Sequence, residues 1–327
     1  MVRLAAILAL LASVCGSPAL LGTEPFVPTF RDLTLSNGLV LDRVSDRTTV
    51  SCASTGLVSY AKVLAARRGE MPTDEVYPQV RQAFEVTVAT NPEANRGWLY
   101  HFTDPQGAPK AYSEVSTIDT AIFYAAFLKI ADLIGDEGFT TAVKQAFRRI
   151  DVDFMMVDNH FLHGFHWVEG SPRVIPWKWQ DSDEGRILYT LFDKPTELRR
   201  RVDLPLFVYF YPLCFEVTDT QVSLLREAVE YQKRTYQHVG VSASDGPRGY
   251  QAGDPTVFSP LAVYAASPFS DVAKQELDRL PHPPTTAAFA DGWVADDKIG
   301  IDYAATYILI DGEPNAIRLA SRPGRGA

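Results

Sequence analysis

Cysteine is scarce in this chain, with three among 327 residues, at positions 15, 52 and 214. Cys52 and Cys214 sit among small or apolar residues, so buried thiols are expected rather than a disulfide. Nothing resembles the clustered cysteines of a structural zinc site. Positive charge is short as well. Lys and Arg number 31 against 40 Asp and Glu, for a net charge of −9. That balance removes the basic surface a nucleic-acid partner needs and suits a neutral ligand. No glycine-rich phosphate loop and no nucleophile-elbow serine occur, so no cofactor is expected. Long apolar runs are missing beyond the first residues. There, Arg3, the uncharged stretch Leu4 to Val14 and the small residues Gly16, Ser17 and Ala19 form the three parts of a secretory signal peptide. The run is too short to cross about 30 Å of hydrocarbon. Residues 1–19 are therefore read as a leader and the mature chain as secreted or periplasmic. Lipid attachment at Cys15 stands as the alternative, although Val14 fits poorly before it.

Low-complexity linkers and charge blocks are also lacking, which favours one domain over residues 20–327 and a monomer. What is present is a series of helical signals. Ser51 to Arg68 closes in basic residues before Gly69. Thr73 to Val88 follows Pro72 and opens on Asp74 and Glu75. Ser116 to Ile134 is apolar nearly all round and stops at Gly135, and Phe139 to Arg149 is short. Further helices are expected at Asp183 to Phe192, Leu206 to Val217, Gln221 to His238, Pro260 to Ala266, Ser270 to Leu280 and Ile301 to Ile310. Loops rich in Gly, Pro and aromatics separate them at Arg96 to Lys110, His160 to Gln180 and Ser242 to Pro260. Strand-like alternation is scarce, apart from short pieces such as Leu39 to Val44. Wholly apolar helices beside amphipathic ones suggest two concentric layers. The expected fold class is all-α, an (α/α)6 barrel.

Two phrases carry a resemblance. Gly97-Trp98-Leu99-Tyr100-His101-Phe102 and Ser113-Glu114-Val115-Ser116-Thr117-Ile118-Asp119-Thr120 resemble G-[FW]-x-Y-H-F and S-E-V-S-[ST]-I-D-T of the glycoamylase-like domain. Its best characterised branch is the endo-β-1,2-glucanases of glycoside hydrolase family 144. Gly38 to Arg43 resembles the opening G-L-V-x-D-R. The stretch from Trp179 to Leu191 resembles the helix start that bears the family's acid, at Glu184. Ser242 to Tyr250 resembles the ligand loop, and Ala287 to Trp293 the G-F-x-D segment, with its acid at Asp291. The resemblance implies an (α/α)6 barrel, hydrolysis of β-linked glucan by an inverting mechanism, and export. Departures occur at Tyr209-Phe210, Glu216 and Asp254-Pro255-Thr256, and Asp151 to Trp179 is only loosely similar. They bear on the sugar linkage more than on the fold.

Glycoside hydrolysis needs one carboxyl to protonate the leaving oxygen and another to activate water or attack the sugar. Glu184 is the expected acid, Asp291 the base-side carboxylate, and Glu114 the next candidate for either. Two have a plainer alternative: Glu184 as a first-turn acid serving the helix dipole, Asp291 as a turn residue before Gly292. Glu114, two residues before the cap and outside the helix, is not explained so easily. Ser116 to Asp119 reads as a capping-box variant, from which Asp119 also reaches a sugar. Trp98, Tyr100, His101, Trp177, Trp179 and Tyr250 are candidate glucan contacts, as are Tyr112 and Trp167, against the alternative that they plug the barrel mouth. Asp245 shapes the ligand loop. His160, His163 and His166 have metal-like spacing without a completing carboxylate, so no metal is expected. A non-catalytic glucan-binding or scaffold protein with the same barrel is the competing function.

Overall fold

The computed structural model describes residues 26–180, 184–195, 200–246, 249–277, 293–294 and 299–311. The leader and Cys15 lie outside the described residues, and so does Asp291.

Eleven helices run through the described residues: α1 (Phe26–Leu33), α2 (Cys52–Arg67), α3 (Thr73–Thr90), α4 (Thr117–Ile134), α5 (Glu137–Arg148), α6 (Arg186–Leu191), α7 (Phe207–Leu213), α8 (Asp219–Tyr236), α9 (Pro260–Ala266), α10 (Asp271–Leu277) and α11 (Gly300–Asp311). Their ends follow local chemistry. The Ser51 hydroxyl accepts from Ser54 N at the start of α2, and Ser116 does the same for Asp119 N at the start of α4. Thr218 and Gln221 form a reciprocal capping box on α8. Gly135 ends α4 in the left-handed region, at φ 71°.

Two kinds of helix face the core. α2 and α4 are buried on nearly every side, whereas α3 buries a stripe of Val76, Val80, Ala83 and Phe84, and α5 one of Phe139, Val143 and Ala146. That stripe spacing is what an amphipathic outer helix shows. α2 packs between α4 and α11. At Gly56 it lies so close to α4 that a Cβ there would come within 2.8 Å of the Phe123 Cα, so only glycine permits this crossing. Among the described residues, most buried apolar side chains join into one contiguous core.

The expectation of an all-α chain gives way to a mainly helical one with short sheets. β1 (Leu41–Arg43), β2 (Asp46–Ser51), β3 (Leu99–Tyr100), β4 (Phe102–Thr103) and β5 (Val115–Ser116) precede α4; β6 (Met156–Val157), β7 (His160–Val168) and β8 (Ser171–Lys178) follow α5. One sheet has the order β1-β2-β4, and another β3-β5-β7-β6 with β8 also paired to β7. The stretch read as a loop from His160 to Gln180 is thus mostly the β7–β8 hairpin. Its two-residue turn, Glu169-Gly170, has positive φ at both positions, the geometry that matches strand twist. β8 is exposed along almost its whole length, so it carries no buried/exposed alternation for a sequence to reveal. The sheets matter because β2 runs directly into α2 and β5 into α4, which places two helix starts side by side beneath one cavity.

Candidate active site

A cavity of about 610 Å³ opens above those helix starts. Its first wall is built by the β3–β5 pairing. His101 N donates to Glu114 O at 2.9 Å, which sets the two side chains beside each other. The His101 imidazole then spans two carboxylates: Nδ1 lies 2.9 Å from Glu114 Oε1 and Nε2 lies 3.5 Å from Asp119 Oδ1. Burial alone would disfavour charge on this ring, but Asp119 and the hydrogen bond and charge of Glu114 outweigh it and lift its pKa to about 9. Burial likewise opposes charge on Glu114, and the His101 hydrogen bond overrides it, holding that carboxyl below its ordinary range. Near neutral pH the wall therefore presents an imidazolium between two carboxylates.

The capping-box reading is met in part, since Ser116 Oγ accepts from Asp119 N at 3.3 Å. Ser116 is the N-cap, but it lies in β5, paired with Leu99 and Gly164, so its backbone belongs to the sheet. The Asp119 carboxylate accepts instead from the Ser116 hydroxyl at 2.5 Å and faces His101. It lines the cavity.

Another part of the lining is aromatic. The Trp179 indole donates to Thr117 Oγ1 at 3.0 Å, Trp179 N donates to Phe161 O, and Tyr189 Oη donates to Trp179 O. The His163 ring stacks on it, with centroids 4.4 Å apart. With its backbone bonded on both sides and its indole held by Thr117 and stacked on His163, Trp179 is a preformed platform. Glu184 lines the cavity next in sequence, its carbonyl accepting from Ile187 N at the start of α6. Tyr112, 61% exposed, stands at the rim with its hydroxyl 3.4 Å from Thr49 Oγ1. The rest of the lining includes Asp42, Arg43, Tyr211 and Asp302.

Glu114, Asp119, His101, Trp179 and Glu184 thus converge on one cavity. Trp98 and Tyr100 do not. They share one face of an extended segment, and His101 turns to the other. Trp98 is 0% exposed, donates to Asp151 O at 2.9 Å and packs edge-on to Phe161; it is a core residue. Tyr100 lines a separate small pocket beside Thr87 and Thr90. Trp167 donates to Asn95 Oδ1. Trp177, 72% exposed, stands edge-on to His163 outside the cavity lining. The side chains of Asp245 and Tyr250, like all of Asp291, lie outside the described residues.

A metal reading of His160, His163 and His166 fails on strand parity: at these spacings on β7, His163 faces opposite to the other two. His101, Glu114 and Asp119 do bring ligand atoms within 4.8 Å of one another. Their carboxylates, however, sit at the two different ring nitrogens. That is the arrangement a bridging imidazolium makes.

The His101 bridge gives a pH dependence. Its folded pKa of about 9 lies above the ordinary 6.5 or so of an unfolded histidine, so its stabilisation is complete below pH 6.5 and is lost as pH rises through 9. The side chain is 28% exposed to cavity water, so the loss is roughly 2–3 kcal/mol. Lys62, drawn down to about 8 by burial, acts with opposite sign from pH 8 upward. Denaturant unfolding of wild type and His101→Gln should therefore be compared pH by pH. The gap between them is expected to shrink from pH 6.5 to 9.5; a constant gap refutes the charged bridge.

No family model and no curated protein matches the sequence. Solved structures do match. A candidate glucoamylase from Bacteroides uniformis superposes with TM-score 0.72 at 16% identity, covering 89% of this chain and 90% of that one. An endo-β-1,2-glucanase from Chitinophaga pinensis, in complex with sophorotriose and glucose, gives 0.69 at 13% identity, covering 89% and 92%. A β-1,2-glucanase from Parabacteroides distasonis gives 0.72 at 15% identity, covering 86% of this chain and 55% of that one. The resemblance read from the sequence is borne out at the level of the fold.

Proposed function

We propose that this chain is a glycoside hydrolase that cuts within β-linked glucan, with β-1,2-glucan as the first substrate to test. The observation that carries the reading is one cavity joining an ionised Glu114, paired with His101, to a second carboxyl, Glu184, along the fixed ring of Trp179. That combination suits a neutral sugar. The aromatic face takes the apolar face of a pyranose, and the carboxyls supply the acid and the base that glycoside cleavage requires. The (α/α)6 barrel belongs to the same proposal, supported by the helical neighbours and by the all-round burial of α2 and α4.

In the proposed reaction Glu184 gives its proton to the glycosidic oxygen as the bond to the anomeric carbon breaks. Water attacks that carbon from the other face and loses its proton to a base-side carboxylate. Asp291 is the proposed base, and Glu114 is the alternative, held ionised for that task by His101. The leader-like stretch from Leu4 to Val14 supports export, and among the described residues no helix is long and apolar enough to cross a membrane.

Digestion of β-1,2-, β-1,3-, β-1,4- and β-1,6-glucans, read by product sizing, tests this. Internal cleavage of the β-1,2 polymer to short oligosaccharides is expected, with the α anomer appearing first by NMR if the bond is inverted. Binding of a glucan with no release of sugar from any of the four would overturn the enzyme and leave a glucan-binding protein.

A further inference from the structure

α11 reads GIDYAATYILID, and Asp302 is the acid of its first turn. A first-turn acid is favoured by the helix dipole on any face. This one is turned inward: Asp302 is only 4% exposed, yet it lines the cavity. Tyr211 Oη donates to its Oδ1 at 2.5 Å. Among the described residues its Oδ2 takes no second hydrogen bond, and the carboxyl makes no ion pair.

The groups that face it come from several elements. β1 brings Asp42 and Arg43, and there Arg43 Nε is bound to Asp42 Oδ2 at 2.9 Å. α7 brings Tyr211. α2 brings Ser54, beside Gly300. α1 meets the helix through Phe26 and Phe30 against Tyr303 and Tyr307, and the Tyr307 hydroxyl donates to Glu70. α9 offers the Leu261 carbonyl to Thr306. Burial, aided by the charge of Asp42, pushes the Asp302 carboxyl up to about 7, against the pull of Tyr211 and Arg43.

A glycan filling the cavity excludes water from Oδ2, and water is the solvation an ionised carboxylate would need. A protonated carboxyl has no such need and gains a donor. Sugar hydroxyls donate and accept, but ring and glycosidic oxygens only accept. We propose that Asp302 is a substrate-recognition residue, protonated in the glycan complex, with Oδ1 held by Tyr211 and the Oδ2 proton donated to a ring or glycosidic oxygen. This rests on the glucan reading and adds a consequence: binding takes up a proton.

The test is calorimetric titration of full-length Glu184→Gln protein with β-1,2-linked glucotriose, in two buffers of different ionisation enthalpy, from pH 6 to 8. Uptake of about half a proton per site at pH 7, and a Kd roughly tenfold weaker at pH 8 than at pH 6, are expected. His101 and Glu114 titrate outside this window. His163, lowered by burial, would take up its proton toward the acid end. Adding Asp302→Asn should abolish the uptake and flatten Kd. Adding Tyr211→Phe should move the midpoint up, because the lost hydrogen bond favoured the ionised form; a merely structural tyrosine would not move it. Binding with no uptake and a flat Kd overturns this inference alone, as does uptake that persists in Asp302→Asn. Wild type that binds no β-glucan at any of these pH values overturns the functional reading, and this inference with it.

Discussion

Glu184→Gln is expected to slow glucan hydrolysis by roughly 10²–10⁴, the usual range for loss of a general acid, while glucan affinity stays within a few-fold. The amide keeps the size of the side chain and can still donate a hydrogen bond, but it cannot give up a proton to a leaving oxygen. The fold at the start of α6 does not depend on the acid alone. The contact that starts α6 is made by the Glu184 backbone carbonyl, which accepts from Ile187 N, and the substitution leaves it in place. Turnover from reducing-end release, affinity from calorimetry and the midpoint of thermal unfolding separate the three quantities. A variant that retains more than a tenth of the rate removes Glu184 from the role of acid. Glu114→Gln makes the contrast. It takes a charge from beside the His101 imidazolium, so it is expected to lower stability along with rate.

The helices were largely legible because their ends are written locally. Ser51 and Ser116 cap, Gly135 stops, and apolar spacing marks the stripes of α3 and α5. The expected Ser116 to Ile134 differs from α4 by one residue. α1 was missed: it is one short amphipathic segment, FVPTFRDL, with a proline near its start. Among the strands, β1 falls within the strand-like piece Leu39 to Val44, and the others escape a sequence reading for a different reason. Two-residue strands such as β3 and β5 have no period to read, and they exist only because distant segments pair there.

The site was legible as a set of acids and aromatics but not as an arrangement. Glu114 and Asp119 were singled out, and so was His101, yet the bridge depends on cross-strand pairing that sequence spacing does not report. Asp42 stood inside a motif carrying the resemblance without being taken as part of a site. Asp302 left a signal that went unread: an acid early in an otherwise apolar helix, where burial makes an ionised carboxylate costly.

The two tryptophans Trp98 and Trp179 show the same limit, and they give opposite expected defects. Trp98→Ala is expected to cost about 3–5 kcal/mol of stability, the range for deleting a large buried ring. The ring packs against Phe161 and Phe192, and its indole proton satisfies the Asp151 carbonyl, so its removal leaves both a cavity and an unpaired acceptor. The protein that remains folded should bind glucan as wild type does, since Trp98 does not line the cavity. Trp179→Ala should act the other way. One face of the indole offers about 60 Å² of apolar contact, worth roughly 1.5 kcal/mol, or about tenfold in affinity. Its loss should raise KM or Kd by that factor, with a smaller effect on kcat if the ring sits away from the scissile bond. Guanidinium unfolding of each variant, with glucotriose affinity measured on the folded fraction, decides between the two roles. If Trp98→Ala unfolds at the wild-type midpoint but binds weakly, the ring belongs in the cavity and the core assignment is wrong. If Trp179→Ala binds as wild type does, the aromatic wall is not a sugar platform.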